Sequence, residues 1–132
     1  MPTEMSTDLN LLVWSVVLCV VQMLIAVLAA LPQVGLPALV GNREPALALT
    51  GLAGRAQRAH RNMLESLVLF AALVLVATAT GRTNEMTALG AQIFFWARVA
   101  YGVVYLVGIP WLRTGIWTLS MLGIVLIFLQ VI

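Results

Sequence analysis

The first membrane-length segment is the feature that most constrains the fold of this chain. Residues Leu9–Leu31 form a run of 23 residues without a charged side chain. As a helix rising about 1.5 Å per residue, the run is about 34 Å long, which exceeds the hydrocarbon thickness of a bilayer. A cleaved signal peptide fits less well, because Glu4 and Asp8, not basic residues, precede the run and because the run is too long. We predict a retained membrane helix that ends at Pro32 and Pro37.

Three further apolar runs follow, at about 64–79, 86–107 and 116–132. Apolar residues make up 62% of the 132-residue chain and charged residues 9%, against about 45–50% and about 25% in an ordinary soluble domain. A soluble fold would lack the polar side chains that cover such a surface. The sequence therefore predicts a single integral membrane domain, 1–132, that is an all-α four-helix bundle with helices at about 9–31, 52–79, 86–107 and 114–132.

The placement of charge predicts how the spans face. All seven basic residues are arginines, and four of them lie between the first span and the second apolar run: Arg43, Arg55, Arg58 and Arg61. By the positive-inside rule, the first and third connections face the cytoplasm and both termini face outward. The net charge of +2 is too small to indicate a nucleic acid as partner.

The single cysteine and the single histidine argue against metal and disulfide chemistry. One cysteine excludes an internal disulfide and a multi-cysteine metal site, so we expect no metal. Cys19 lies within an apolar run and is interpreted as a packing residue. His60 lies two residues after Arg58 and therefore on a different helix face, where a position at the surface or among headgroups explains it better than catalysis.

Four polar side chains follow helical spacing at the start of the second span. These residues, three, four and three positions apart, share one helix face: Arg55, Arg58, Asn62 and Glu65. Arginines that reach lipid headgroups would explain the basic members. They do not explain Glu65, because a carboxylate at the start of an apolar run costs free energy unless it faces protein or a water-filled cavity.

The third span carries a second polar group. Arg98 lies near its middle, where insertion of an arginine costs about 2.5–3.5 kcal/mol. Tyr101 and Tyr105 follow on the same face, and Arg113 lies at the mouth of the fourth span. In one interpretation Arg98 only pairs with Glu65 to join two helices. In the other it lines a binding site, and the two are compatible.

Together, these groups predict a polar site in the cytoplasmic half of the bundle. Cationic groups, an amide, a carboxylate and two phenols suit a small zwitterion with more than one carboxylate. The tripeptide glutathione fits, because arginines would bind its two carboxylates, Glu65 its amine and Asn62 a peptide group.

The polar motifs resemble those of one known family. Residues 58–65, RAHRNMLE, have the form R-x-x-x-N-x-x-E at the start of a second membrane helix. This motif resembles the MAPEG family, the membrane-associated proteins in eicosanoid and glutathione metabolism. The segments FWARVAY at 95–101, Tyr105 and GIPWLR at 108–113 are similar to the third helix and following turn of its bacterial members. The resemblance covers nearly the whole chain.

The resemblance implies a homotrimer of four-helix protomers in a bacterial inner membrane, surrounded by membrane lipids. Glutathione would bind between neighbouring protomers as a cosubstrate, and its thiolate would attack an apolar electrophile or a lipid hydroperoxide. Arg113 and, as second choice, Tyr105 would activate the thiol. The predicted glutathione contacts are Arg55, Arg58, Asn62, Glu65, Arg98 and Tyr101, with Arg43 as a weaker match.

Two positions depart from the family pattern. Ser66 stands where several characterised enzymes have Tyr, which weakens the case for eicosanoid chemistry, and Val68 stands where Pro is common, which alters only a helix kink. A non-catalytic trimer that binds glutathione or lipid is the alternative function. A small four-helix transporter fits less well, because such exporters depend on a carboxylate in the first membrane helix and the run 9–31 has none.

Overall fold

The fold comes from a computed structural model that describes residues 5–41 and 49–132. It consists of four helices in chain order, α1 (Thr7–Val40), α2 (Gly51–Ala79), α3 (Glu85–Val107) and α4 (Pro110–Val131). Each of them is long and apolar enough to cross a membrane. Helices satisfy their own backbone hydrogen bonds, which a lipid environment requires. The predicted all-α four-helix membrane fold is confirmed.

Helix α1 extends past the end of the apolar run that predicts it. It contains both Pro32 and Pro37, and its backbone leaves helical geometry at Gly35, with φ 79° and ψ 163°. A proline removes one helical hydrogen bond and crowds the preceding turn. Glycine adopts a positive φ at little cost, so the break falls at Gly35 between the two prolines. The prolines therefore kink the end of α1 instead of ending it at Leu31.

The start of α1 includes a carboxylate that the sequence places ahead of the first span. Ser6 is the N-cap, and its hydroxyl accepts a hydrogen bond from the Leu9 amide at 3.3 Å. Asp8 follows in the first turn and is buried. A negative charge at this end of a helix interacts favourably with the helix dipole.

Two hydrogen bonds join the end of α1 to the start of α2. The side-chain amide of Gln33 donates to the Thr50 carbonyl at 2.8 Å, and its oxygen accepts from the Thr50 amide at 3.0 Å. Thr50 is the N-cap of α2. Arg43, the weaker match among the predicted glutathione contacts, lies outside the described residues.

Helices α3 and α4 approach each other closely through two glycines. A Cβ added to Gly90 would lie 2.7 Å from the Gly123 carbonyl oxygen, and one added to Gly123 would lie 2.6 Å from the Gly90 carbonyl oxygen. Small residues at a crossing allow two membrane helices to pack backbone against backbone. The start of α3 is fixed by Asn84, whose side chain accepts from the Met86 and Thr87 amides.

The core of the bundle lies between α2, α3 and α4. The rings of Phe70 and Phe94 are stacked with centroids 4.1 Å apart, and Met63 and Ile127 are buried with them. Cys19 of α1 packs against this cluster as a free thiol, as its apolar setting predicts. Many other large apolar side chains are exposed, as lipid-facing residues must be.

We predict that Gly123→Ala weakens the α3–α4 crossing, because the new methyl group would meet backbone atoms that cannot move aside. Overpacking of this kind costs about 1–3 kcal/mol. The change should appear as a lower midpoint of thermal unfolding in detergent. Gly115→Ala is the matched control on the same helix, because a Cβ there has no neighbour within 4 Å. Equal stability of the two variants would contradict the crossing geometry.

Candidate functional site

The predicted polar residues meet at the end of the bundle where α2 and α4 begin and α3 ends. Ala59 of α2 packs here against Tyr101 and Tyr105 of α3, with Ile116 of α4 beside them. Gly108 ends α3 in a left-handed conformation with φ 89°, and Pro110 occupies the first turn of α4. This sharp turn directs the start of α4 back toward the last turns of α3, where the tyrosines lie.

Tyr105 lies between two arginines from different helices. Its hydroxyl accepts a hydrogen bond from Arg58 Nε at 3.2 Å. The guanidinium carbon of Arg113 lies 4.4 Å from the centroid of the Tyr105 ring, which is a cation–π contact. The hydroxyl proton of Tyr105 is not used in the bond from Arg58, so it can be donated to an anion in the site.

Arg98 is fully buried in the middle of this group. Its Nη2 donates to Asn62 Oδ1 at 2.8 Å, and its guanidinium carbon lies 4.1 Å from the centroid of the Tyr101 ring. Its Nε and Nη1 have no hydrogen-bond partner within residues 5–41 and 49–132. An unpaired buried charge is costly. Three N–H groups of Arg98, one on Nε and two on Nη1, are therefore left without an acceptor in the described residues.

The proposed ion pair between Arg98 and Glu65 is not the contact that the structure contains. Arg98 bonds to the Asn62 amide, whereas the Glu65 side chain is exposed at the surface of α2. Asn62 precedes Glu65 by three residues, so both lie on the same face of α2. Of the two, only Asn62 reaches α3. Glu65 is left available to a ligand or to another chain.

Arg55 lies on the same polar face of α2 and also bonds to the backbone of α3. Its Nε donates to the Leu106 carbonyl at 3.1 Å. The last carbonyls of a helix lack partners within the helix, and a cation near them interacts favourably with the helix dipole. Arg55 therefore caps the C-terminal turn of α3, a role that spacing along α2 could not show.

An open cavity of about 200 Å³ lies beside these residues, lined by Asn62, Tyr101, Arg113, Thr114 and Trp117. Thr114 and Trp117 line this cavity although neither is among the predicted site residues. Their positions in the sequence could have indicated this, because Thr114 directly follows Arg113 and Trp117 lies one helical turn after it. The cavity therefore presents cationic, amide, phenol and hydroxyl groups together.

The remaining candidates lie apart from this cavity. His60 is half-buried and lines a different cavity between α1 and α2. Ser66 is buried, and Val68 is 66% exposed. Within the described residues, no group of three or more His, Cys, Asp or Glu side chains could hold a metal ion.

Comparison with protein families identifies the family of this chain. The family model of the MAPEG family matches residues 11–132, which is nearly the whole chain. The chain belongs to the MAPEG family. Comparison with curated proteins and with solved structures gives no significant match in either set. Membership in MAPEG places the chain among integral membrane proteins with glutathione-related chemistry, and the four membrane-length helices agree.

We predict that Asn62→Leu destabilises this MAPEG protein chiefly through Arg98. Removing a hydrogen bond to a charged group costs about 1.5–3 kcal/mol. Asn62→Leu should cost much less stability in a protein that already carries Arg98→Met, because no buried charge then remains unpaired. Thermal unfolding of the two single variants and the double variant measures this coupling. Arg61→Met, a change of the same type at an exposed arginine, is the control. An equal cost of Asn62→Leu in both backgrounds would refute the coupling.

Proposed function

We propose that this protein is a glutathione-dependent membrane enzyme, a transferase or peroxidase that acts on apolar electrophiles or lipid hydroperoxides. The observation that carries the proposal is the buried Arg98 guanidinium beside Asn62, whose Nε and Nη1 have no hydrogen-bond partner in the described residues. An anionic group that reached these two nitrogens would form charge-assisted hydrogen bonds with them. Glutathione is the anionic ligand associated with the family.

The polar groups around the cavity match the groups of glutathione. Arg58 is exposed and keeps its terminal nitrogens for a carboxylate after its Nε bond to Tyr105. Glu65 is exposed and suits the amine. Asn62 and Tyr101 line the cavity, where they would meet the peptide groups. In this proposal Arg55 contributes mainly by holding the end of α3.

Arg113 is the residue that we assign to thiol activation, with Tyr105 second. A free thiol has a pKa of about 8.5, so little thiolate exists at neutral pH. Arg113 lines the cavity at the start of α4 and contacts the Tyr105 ring. Its charge would stabilise a thiolate, and the Tyr105 hydroxyl would donate a hydrogen bond to the same sulfur. The bound thiolate would supply the nucleophile, and these side chains would hold its charge.

We also propose that the protein is a homotrimer with each site between neighbouring protomers. The exposure of Glu65 and Arg58 supports this, because charged groups at the level of the bundle's polar site need water, ligand or another chain around them. The first and third connections, next to the site, would face the cytoplasm of a bacterial inner membrane, where glutathione is in solution.

We predict that Arg113→Ala lowers the kcat for conjugation of glutathione to an activated aryl halide by about tenfold or more, since the thiolate loses its cation. Glu65→Gln should act mainly on the KM for glutathione, because that carboxylate is assigned to binding. Initial rates of purified protein in detergent measure both. Arg61→Ala, an exposed arginine on the same helix, should match the parent. Unaltered kinetics in both site variants would remove the assigned roles.

We predict that Arg98→Lys weakens glutathione binding about tenfold to a hundredfold, because lysine keeps the charge but lacks the guanidinium geometry. Equilibrium dialysis with labelled glutathione measures this directly. Arg82→Lys is the matched control, because Arg82 bonds to the Val131 carbonyl at the opposite end of the bundle. Binding without turnover in the parent protein would favour the non-catalytic alternative, and no binding at millimolar glutathione would overturn the proposal.

A further inference from the structure

A further cavity, of about 190 Å³, lies between α1, α2 and α3 and shares no lining residue with the polar cavity. Its wall is almost wholly aliphatic. Val21 of α1 and Val103 of α3 are among its lining residues, and their side chains are 45% and 60% exposed. The cavity therefore opens on the outer surface of the protomer. An alkyl chain could enter it directly from the bilayer.

One polar side chain interrupts this apolar wall. Gln22, in the middle of the first membrane span, lines the cavity and is 92% buried, since its exposed fraction is 8%. Its carbonyl oxygen has no hydrogen-bond partner in the described part of the chain. A buried acceptor left unpaired costs about 1–3 kcal/mol. Leucine or methionine at this position would fill the space without an unpaired polar group. The presence of an amide therefore indicates a ligand that bonds to it.

Gly102 gives Gln22 its place in the cavity. A Cβ added to Gly102 would lie 2.7 Å from Gln22 Nε2. The missing side chain on α3 therefore creates the space that the amide of Gln22 occupies. Two residues on different helices together hold one polar group against an otherwise aliphatic cavity.

We propose that this cavity binds an alkyl chain that carries one hydroxyl-type donor, with the chain against the aliphatic wall and its O–H directed to the side-chain amide of Gln22, whose oxygen has no partner in the described residues. The volume suits a single chain segment and is too small for a complete phospholipid. Long-chain alcohols and hydroxylated or hydroperoxidised acyl chains share this chemistry. The site takes its ligand from the membrane and does not depend on glutathione.

The test uses two photoreactive probes of equal length, a diazirine-bearing long-chain alcohol and its methyl ether, with the protein in lipid nanodiscs. The alcohol should label residues of the cavity wall about threefold to tenfold more than the ether, because only the alcohol can donate to Gln22. Peptide mapping by mass spectrometry identifies the labelled residues. Competition by a non-reactive fatty alcohol and by an acyl hydroperoxide distinguishes the two ligand sources.

Gln22→Leu should abolish the preference for the alcohol while the ether still labels the cavity. Gly102→Ala should do the same by displacing the amide. Gln92→Leu, the same change at an exposed glutamine of α3, should leave the preference intact. Glutathione binding, measured in parallel, should be unaltered in Gln22→Leu, which separates this proposal from the polar site.

Several results would overturn the proposal. Equal labelling by alcohol and ether, labelling outside the cavity, or an unchanged preference in Gln22→Leu would mean that the amide has only a packing role. A crosslink to a second copy of the chain, formed by a photoreactive residue placed at Val103, would show that another protomer covers the cavity, and would equally reject a lipid ligand.

Discussion

The burial of one guanidinium between α2 and α3 determines how the polar end of this bundle is built. Arg98 is fully buried in a helix that spans the membrane, and such a charge is costly unless it is held by partners. Asn62 supplies a hydrogen bond and Tyr101 supplies a ring face. The bond to Asn62 joins the two helices and so fixes their rotation about their axes, whereas Tyr101 lies on the same helix as Arg98. Once that rotation is fixed, Arg58 and Tyr105 meet one turn farther along the same two helices.

The other end of the bundle is stabilised in a different way. Between α3 and α4, contact depends on the absence of side chains at Gly90 and Gly123. Asn84 adds a cap to α3 and also donates to the Gln130 side chain of α4 at 2.9 Å. The close crossing holds α4 against α3, and the short turn at Gly108 and Pro110 then carries Arg113 to Tyr105. Packing at the apolar crossing thus positions a charged residue at the polar end.

Much of the polar site was predictable, because charged residues are rare in the sequence. Periodicity placed Arg58 and Asn62 on one face of α2 and Tyr101 and Tyr105 on one face of α3, and the structure brings these faces together. Spacing could not choose between Asn62 and Glu65 as the partner of Arg98, since both lie on that face. The choice depends on the separation and rotation of the helices, which the packing of the core determines.

The unpredicted features arise where the sequence is uniform or where backbone atoms are partners. Nearly every face of α1 is apolar, so its pattern does not show which face meets α3, and the burial of Gln22 could not be foreseen. The bond from Arg55 to the Leu106 carbonyl involves no side chain on α3. The continuation of α1 through two prolines depends on the kink at Gly35, whose conformation glycine permits but does not require.

The bonds between Gln33 and Thr50 have a consequence for how this protein can vary. They tie a side chain in the last part of α1 to the backbone of Thr50, just before α2, and so hold the two helices together independently of the residues between them. The entropic cost of closing a loop grows only slowly with the length of the loop. Insertions or deletions between residues 42 and 48 can therefore accumulate while α1 and α2 keep their register. The first connection is a place where related chains can diverge in length without disturbing the membrane bundle.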